Sequence, residues 1–299
     1  MTYDLIIRGG TVVDGTNAAP VAADVGIIGG KIAAIGDLAG AEAAKVIDAA
    51  GKIVCPGFVD AHIHLESSLV SPAEFARAVI PHGTTTVITD PHEITNVMGT
   101  DGIDYMLAAT EDLPVDVRFM IPSCVPASAL DESGANLDYR DVDSFFDHPR
   151  VQGLAEMMNF PGIISADAST VAKIVASQAH HKKIDGHAPG LRGLDLNAYI
   201  SAGVYSDHEC ADEEDAMRKL RLGQFIMVRE GTAARNLEAL EYFMANGGRF
   251  AVATGRALAA FASHAKNVPS NTPAILYNGG ALYDFASKTL LESDYLNDK

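Results

Sequence analysis

The sequence predicts an α/β fold, a (β/α)8 barrel of the TIM type that follows a small N-terminal β unit. From residue 53 onward, short apolar segments alternate with helical segments, and repeated βα units favour a parallel sheet. Eight such strands can be counted, which is the number that closes a barrel of this type. Polar residues follow most of these strands, at the end where such barrels have their active sites. An open, doubly wound sheet is the alternative topology.

The predicted elements follow one another in a regular order. Residues 1–52 contain short strand-like runs with glycine turns, namely YDLIIRG, TVVDG, DVGIIGGKIAAIG and KVIDAAG. Barrel strands are predicted in IVCPGFVDAHIHL, TTTVITD, VDVRFMIPS, VQGLAEM, KIDGH, VYSDHE, QFIMVRE and RFAVATGR. Most of these strands are followed by helical segments such as SPAEFARAVIPHG, ASTVAKIVASQAHHK and DEEDAMRKLRLG. The acids at the start and bases near the end of DEEDAMRKLR predict a solvated helix face.

Composition and charge restrict the classes of function. The 299 residues are 48% hydrophobic and 20% charged, which is typical of a globular domain, and the net charge is -17. So acidic a surface disfavours nucleic acid and anionic membranes as partners and favours a small neutral or cationic molecule. Three widely separated cysteines form no C-x-x-C pair, and we expect no leader and no membrane span, so a cytoplasmic location is predicted. The sequence leaves open whether the chain forms a homo-oligomer.

Histidines and one carboxylate mark the ends of the predicted strands. His62 and His64 are two residues apart, so on a strand their side chains point to the same side. Glu156, His187 and His208 end or follow three further strands. Taken alone, an H-x-H pair is equally typical of packed or surface histidines. Five such residues around one barrel mouth instead indicate a metal site.

The donor types indicate which chemistry such a site performs. Imidazoles and a carboxylate suit zinc, iron or manganese. A divalent metal lowers the pKa of a bound water molecule, so that hydroxide forms near neutral pH. Glu156 is placed to be a ligand that two metals share. The P-C-x-x-C motif of the zinc deaminases that act on nucleic acid does not occur here, so any deaminase would belong to another structural class.

Long stretches of the chain resemble the bacterial-type adenine deaminases of the amidohydrolase superfamily. They are PGFVDAHIHLESSLVSPAEFARAVIPHGTTTVITDPHEITNVMG, GLAEMMNFPG, DGHAPGL, SDHE and LRLGQFIMVREGTAARNLEAL, and the resemblance covers about residues 1–240. It implies a binuclear centre of divalent metal, manganese or iron with zinc as the alternative, and hydrolysis of adenine to hypoxanthine and ammonia by a metal-bound hydroxide. It also implies that residues 1–52 are a partial β-sandwich and that 53–240 hold barrel strands one to seven.

The resemblance assigns roles residue by residue. His62 and His64 would bind one metal, His187 and His208 the second, and Glu156 would bridge the two. Other residues belong to matching motifs near the mouth, and we assign them roles as follows. Glu156 and Glu209 are the candidate catalytic residues. The candidate substrate-binding residues are His92, Glu93, Arg229 and Glu230.

The tail, about residues 241–299, departs from this family. The family's eighth strand ends in T-D-D, whose aspartate binds metal and moves protons, but Gly255 stands in the corresponding segment FAVATGR. The tail resembles an internal, divergent α/β piece of a haloacid-dehalogenase-type phosphatase, without that family's D-x-D-x-T nucleophile segment. We expect residues 249–253 to supply a substitute eighth strand and activity to be impaired. The alternatives are a non-catalytic metal- or purine-binding barrel and a chimeric fragment without function.

Overall fold

The computed structural model describes residues 2–16, 18–128, 130–229, 244–245, 274–276, 281–284 and 287–293. Its N-terminal unit is a five-stranded sheet built from β1 (Tyr3–Val12), β2 (Val21–Ile28), β3 (Lys31–Gly36), β4 (Ala43–Asp48) and β5 (Ile53–Val54). The strand order is β3-β2-β1-β4, with β5 also paired to β1. Gly29 and Gly30, both at positive φ, form the two-residue turn between β2 and β3, which is the backbone that tight hairpins require.

The second unit, Phe58–Gly248, contains the strands of the predicted barrel. They are β6 (Phe58–Ile63), β7 (Thr84–Thr89), β8 (Asp116–Ile121), β9 (Val151–Met157), β10 (Lys183–Gly186), β11 (Ser206–Asp207) and β12 (Phe225–Ile226). The first five form one parallel sheet in the order β10-β9-β8-β7-β6, and β11 pairs with β12 in parallel. A parallel bridge between Ile184 and Val204 joins the two groups. Seven predicted strands therefore occur in chain order, as an incomplete TIM-type barrel requires.

Helices separate these strands, as the alternating pattern predicts. They are α1 (Pro72–Val79), α2 (His92–Met98), α3 (Thr100–Ala109), α4 (Tyr139–Asp143), α5 (Phe160–Ile164), α6 (Ala168–Ala179), α7 (Gly193–Ser201) and α8 (Glu213–Arg221). Side-chain oxygens of Ser71, Asp167 and Asp212 accept hydrogen bonds from the first turns of α1, α6 and α8. No helix among the described residues is long and apolar enough to cross a membrane.

The core of this unit lies between the parallel strands and their helices. Phe119 and Ile121 of β8 and Leu154 of β9 are fully buried, and Tyr199 of α7 packs in the same cluster. Gly153 of β9 has no room for a side chain, because the carbonyl oxygen of the neighbouring strand β10 lies against it. Close strand packing of this kind positions the C-terminal ends of the strands relative to one another.

The tail contributes one small described sheet, formed by β13 (Ala274–Leu276), β14 (Ala281–Asp284) and β15 (Thr289–Ser293). Its neighbouring strands run antiparallel. The predicted substitute strand at 249–253, together with Gly255, lies outside the described residues. The eighth strand, and the division of the chain at about residues 52 and 240, therefore stay predictions.

Candidate metal centre

The five residues predicted to form the site come together at the C-terminal ends of the strands. His62 lies in β6 and His64 directly follows it, whereas Glu156 lies in β9. His187 follows β10 and His208 follows β11. These positions meet because parallel strands carry their C-terminal ends to the same edge of the sheet.

Glu156 lies at the centre of this group and is only 2% exposed. One carboxylate oxygen lies 2.6 Å from His187 Nδ1 and 3.0 Å from His208 Nε2, and the other lies 3.1 Å from His92 Nδ1 and 3.3 Å from His64 Nε2. Burial alone would raise the pKa of Glu156, but its contacts with these histidines hold it well below its usual range. The carboxylate is therefore ionised and surrounded by nitrogen donors.

His62 completes the ring of imidazoles. Its Nε2 lies 3.3 Å from Nε2 of His64, and its ring stacks on that of His208 with the centroids 3.7 Å apart. Its Nδ1 lies 3.2 Å from the buried Asp185 carboxylate. Burial tends to lower the pKa of His62, but Asp185 and Glu156 raise it overall. A carboxylate behind one ring nitrogen leaves the other free to face a metal.

Two observations show that this arrangement fits a cation. Both ring nitrogens of His208 are buried without a properly aligned hydrogen-bond partner, although Nε2 contacts Glu156. One carboxylate oxygen of Asp90 is also buried without a partner. Buried polar atoms are normally satisfied, so unpaired nitrogen and oxygen atoms around a carboxylate fit a site for a cation.

The donor atoms form three overlapping groups, each lying within 4.8 Å. One contains His62, Glu156 and His208, and a second contains His187, His208 and Glu209. The third combines His64 and Glu156 with Asp90 and His92. Because Glu156 and His208 each belong to two groups, the donor set is large enough for more than one ion. Nitrogen and oxygen donors of this kind suit zinc, iron or manganese.

His92, which was predicted to bind substrate, directly contacts two carboxylates of the proposed metal-binding groups. Its Nδ1 lies 3.0 Å from a carboxylate oxygen of Asp90 and 3.1 Å from one of Glu156. Burial alone would lower the pKa of His92, but these two carboxylates raise it to about 11. Asp90 directly follows β7, so it lies at the same kind of strand end as the other donors.

The other predicted residues lie around this cluster. Glu93 accepts a hydrogen bond from Ser67, and its own backbone N–H donates to Glu66. Glu209 lies 3.9 Å from Nδ1 of His187 and forms an ion pair with Arg229. The predicted substrate-binding residue Glu230 lies outside the described residues. Its role stays a prediction.

Removing the two histidines of β6 is expected to release metal. The His62→Ala, His64→Ala double variant loses two imidazole donors from groups that share Glu156. Elemental analysis of the purified protein is expected to find at least one metal ion fewer per chain than in the unmodified protein. A matched control replaces His180 and His181 at the end of α6, where His180 contacts Asp143. Equal metal content in the two double variants would contradict the assignment.

The fold and the donor set together define a β/α barrel with a candidate metal centre at the C-terminal ends of its strands. The model of the amidohydrolase family matches residues 53–260, and the chain belongs to this family. The donor set and the family identify the centre as a site for divalent metal. A haloacid dehalogenase-like hydrolase model matches residues 229–299, as the resemblance of the tail predicted.

Curated relatives agree with this assignment. The chain is 49% identical over 237 residues to the adenine deaminase of Desulfatibacillum aliphaticivorans and 49% identical over 238 residues to that of Kosmotoga olearia. It is 45% identical over 237 residues to the adenine deaminase of Halalkalibacterium halodurans. Each match covers 79% of this chain. The chain spans 40–41% of the length of these relatives.

Solved structures support the fold. The N-acyl-D-glutamate deacylase of Bordetella bronchiseptica, solved with zinc and a phosphonate inhibitor, aligns with a TM-score of 0.55 and 20% identity. A D-aminoacylase aligns with a TM-score of 0.53 and 21% identity. Each alignment covers 76% of this chain and 58% of the other protein. At this identity the likeness establishes the barrel architecture.

Proposed function

We propose that this chain carries the active site of a hydrolase that deaminates adenine to hypoxanthine and ammonia. The observation that carries the proposal is the buried Glu156 carboxylate with histidines from three strand ends around it. This cluster lies in a chain that is 45–49% identical to adenine deaminases over most of its length. The net charge of -17 favours such a neutral small molecule over a nucleic acid.

The proposed centre holds two metal ions, as the resemblance implies. His62 and His64 would hold one ion, His187 and His208 would hold the other, and Glu156, which contacts His64, His187 and His208, would be shared. Manganese or iron is the proposed metal, with zinc as the alternative, because imidazole and carboxylate donors suit all three. When bound, such a metal lowers the pKa of a water molecule toward neutrality.

The protein's own part in the reaction is to position adenine and to move protons. Hydrolysis adds one water molecule at C6 and expels the exocyclic nitrogen as ammonia. Glu209 is proposed to take a proton from the attacking water and return it to the departing nitrogen, since its carboxylate lies beside His187. Its ion pair with Arg229 keeps this carboxylate at the mouth. His92, Glu93, Arg229 and Glu230 are the proposed substrate contacts.

The proposed setting is the cytoplasm. The chain has three cysteines, which are widely separated in the sequence and form no C-x-x-C pair. This cysteine usage is typical of proteins in a reducing compartment. A homo-oligomer is compatible with this proposal and is not required by it, because the residues proposed for catalysis come from one chain.

Ammonia release from adenine tests the proposed function. The purified chain, loaded with manganese or iron, is expected to release ammonia faster than the His62→Ala, His64→Ala variant prepared in the same way. The Glu209→Gln variant keeps the five proposed metal ligands and is expected to lose turnover. Metal binding without ammonia release above the double variant would reject the deaminase and leave a non-catalytic metal-binding barrel. Failure to bind metal at all would reject both.

A further inference from the structure

Helix α8 contains a lysine that is buried completely. The charge pattern of this helix predicted a solvated face, and for Lys219 and Asp215 that prediction is wrong, since both side chains have no exposed surface. Lys219 Nζ lies 3.1 Å from a carboxylate oxygen of Asp207 and 3.3 Å from one of Asp215, and donates to the Ala188 carbonyl at 2.8 Å. An ammonium group has three hydrogens, and three acceptors surround this one.

The partners of Lys219 belong to the segments that carry the second pair of histidines. Ala188 directly follows His187, and Asp207 directly precedes His208. The Asp207 carboxylate also accepts hydrogen bonds from the backbone N–H of Ala188 at 3.1 Å and from that of Glu209 at 2.7 Å. One buried ion pair therefore connects the chain after β10 with the chain after β11.

Asp215 connects the same two segments a second time. Its carboxylate accepts hydrogen bonds from the backbone N–H of Gly190 at 2.9 Å and from that of Ala211 at 3.1 Å. Lys219, Asp207 and Asp215 thus each form hydrogen bonds with backbone groups in addition to their ion pairs with one another. Asp, Glu and Lys side chains are almost never buried completely unless they are paired in this way.

Stability alone is a weak explanation for such a network. Buried ion pairs are often replaced by apolar side chains without loss of stability, because removing charges from water is costly. What a directional, fully bonded network adds is a defined position for the backbone that it holds. Here that backbone presents His187, His208 and Glu209.

We propose that Lys219 is a positioning residue that holds the His187 and His208 half of the metal centre in its binding geometry. The inference rests on the proposed function, which assigns His187 and His208 to one of two metal ions. It predicts that losing the lysine weakens one half of the centre selectively. The His62 and His64 half, which lies on and after β6, has no described contact with Lys219.

The test compares Lys219→Met with Lys182→Met in the full chain. Lys182 also donates to a backbone carbonyl, that of Val151, but at the N-terminal end of β9. Manganese titration of Lys219→Met is expected to show the His187 and His208 site weakened about 10–100-fold, the range typical of lost outer-sphere support, and the other site weakened less, since His62 stacks on His208. The Lys182→Met variant is expected to keep both sites. Because an unpaired buried acid endangers folding, Lys219→Met is also made with Asp215→Asn.

Histidine reactivity provides a readout that needs no metal. In the metal-free protein, diethyl pyrocarbonate is expected to modify His187 and His208 about tenfold faster in Lys219→Met than in Lys182→Met, with His64 unchanged. This difference in reactivity would support the positioning role even if the protein bound no metal. A lack of metal binding would reject the proposed function but not the positioning role. Equal reactivity in the two variants would overturn the positioning role. A parallel weakening of both metal sites with a lowered melting temperature would overturn it too.

Discussion

Glu156→Gln is expected to lose both metal ions and all ammonia release. The substitution keeps the size of the side chain but removes the one ionised group that four histidines contact. Metal affinity is expected to fall by more than the roughly 10–100-fold that outer-sphere changes cost, because a shared ligand is removed. In the metal-free protein the pKa of His92, now about 11, is expected to fall, since Glu156 is one of the two carboxylates that raise it. Elemental analysis and nuclear magnetic resonance of the histidines measure the two effects.

The matched control is Glu66→Gln. Glu66 is a partly buried carboxylate near the same strand ends, but its oxygen accepts hydrogen bonds from the backbone N–H groups of Glu93 and Ile94. Its replacement is expected to leave the metal content unchanged. If both variants retained both metal ions, the role of Glu156 as a shared ligand would be rejected.

Gly255→Asp is expected to raise the rate of adenine deamination. The adenine deaminases that the sequence resembles have a metal-binding, proton-transferring aspartate at this point of the eighth strand, and glycine has no side chain for either task. General acid–base catalysis typically contributes about 10²–10⁴-fold in rate. We therefore expect the unmodified chain to bind metal better than it turns over adenine. If the predicted substitute strand at 249–253 is in register, the aspartate variant should recover part of that factor in a coupled ammonia assay.

Gly255→Asn separates proton transfer from added bulk. It places a side chain of nearly the same shape at this position without an ionisable group, and it is expected to stay as slow as the unmodified chain. Rapid deamination by the unmodified chain would instead show that Glu209, with or without Glu230, completes the proton transfer at full rate without an aspartate at this position. The account of Gly255 would then be wrong, although the proposed function would stand.

The barrel strands could be predicted because their signal is local. Each apolar run is short and ends in polar residues, and His62 and His64 reveal their common face by their spacing alone. The convergence of Glu156, His187 and His208 then follows from the rule that parallel strands end at one edge. These side chains lie close together in the structure, and their roles as metal ligands stay predictions.

What could not be predicted depends on contacts between distant segments. The sequence does not reveal that Asp185 contacts His62, nor that Lys219 contacts the loops after β10 and β11. The pattern of α8 even predicted exposure for Lys219, because acids first and bases last is also the pattern of a solvated helix. Whether such a side chain is buried or exposed depends on its neighbours in three dimensions, and the periodicity of the sequence does not reveal those neighbours.

The donor set around Glu156 also has a consequence for the order of folding. Its members come from β6, β9, β10 and β11, so no short segment of the chain contains a complete ligand set. Pairings between segments so far apart form slowly, because the intervening chain must first lose its conformational freedom. Only the assembled strands can therefore bind metal with full affinity. By mass action, metal binding shifts the folding equilibrium toward the native state. A larger supply of metal is then expected to raise the fraction of the chain that is native, independently of any turnover.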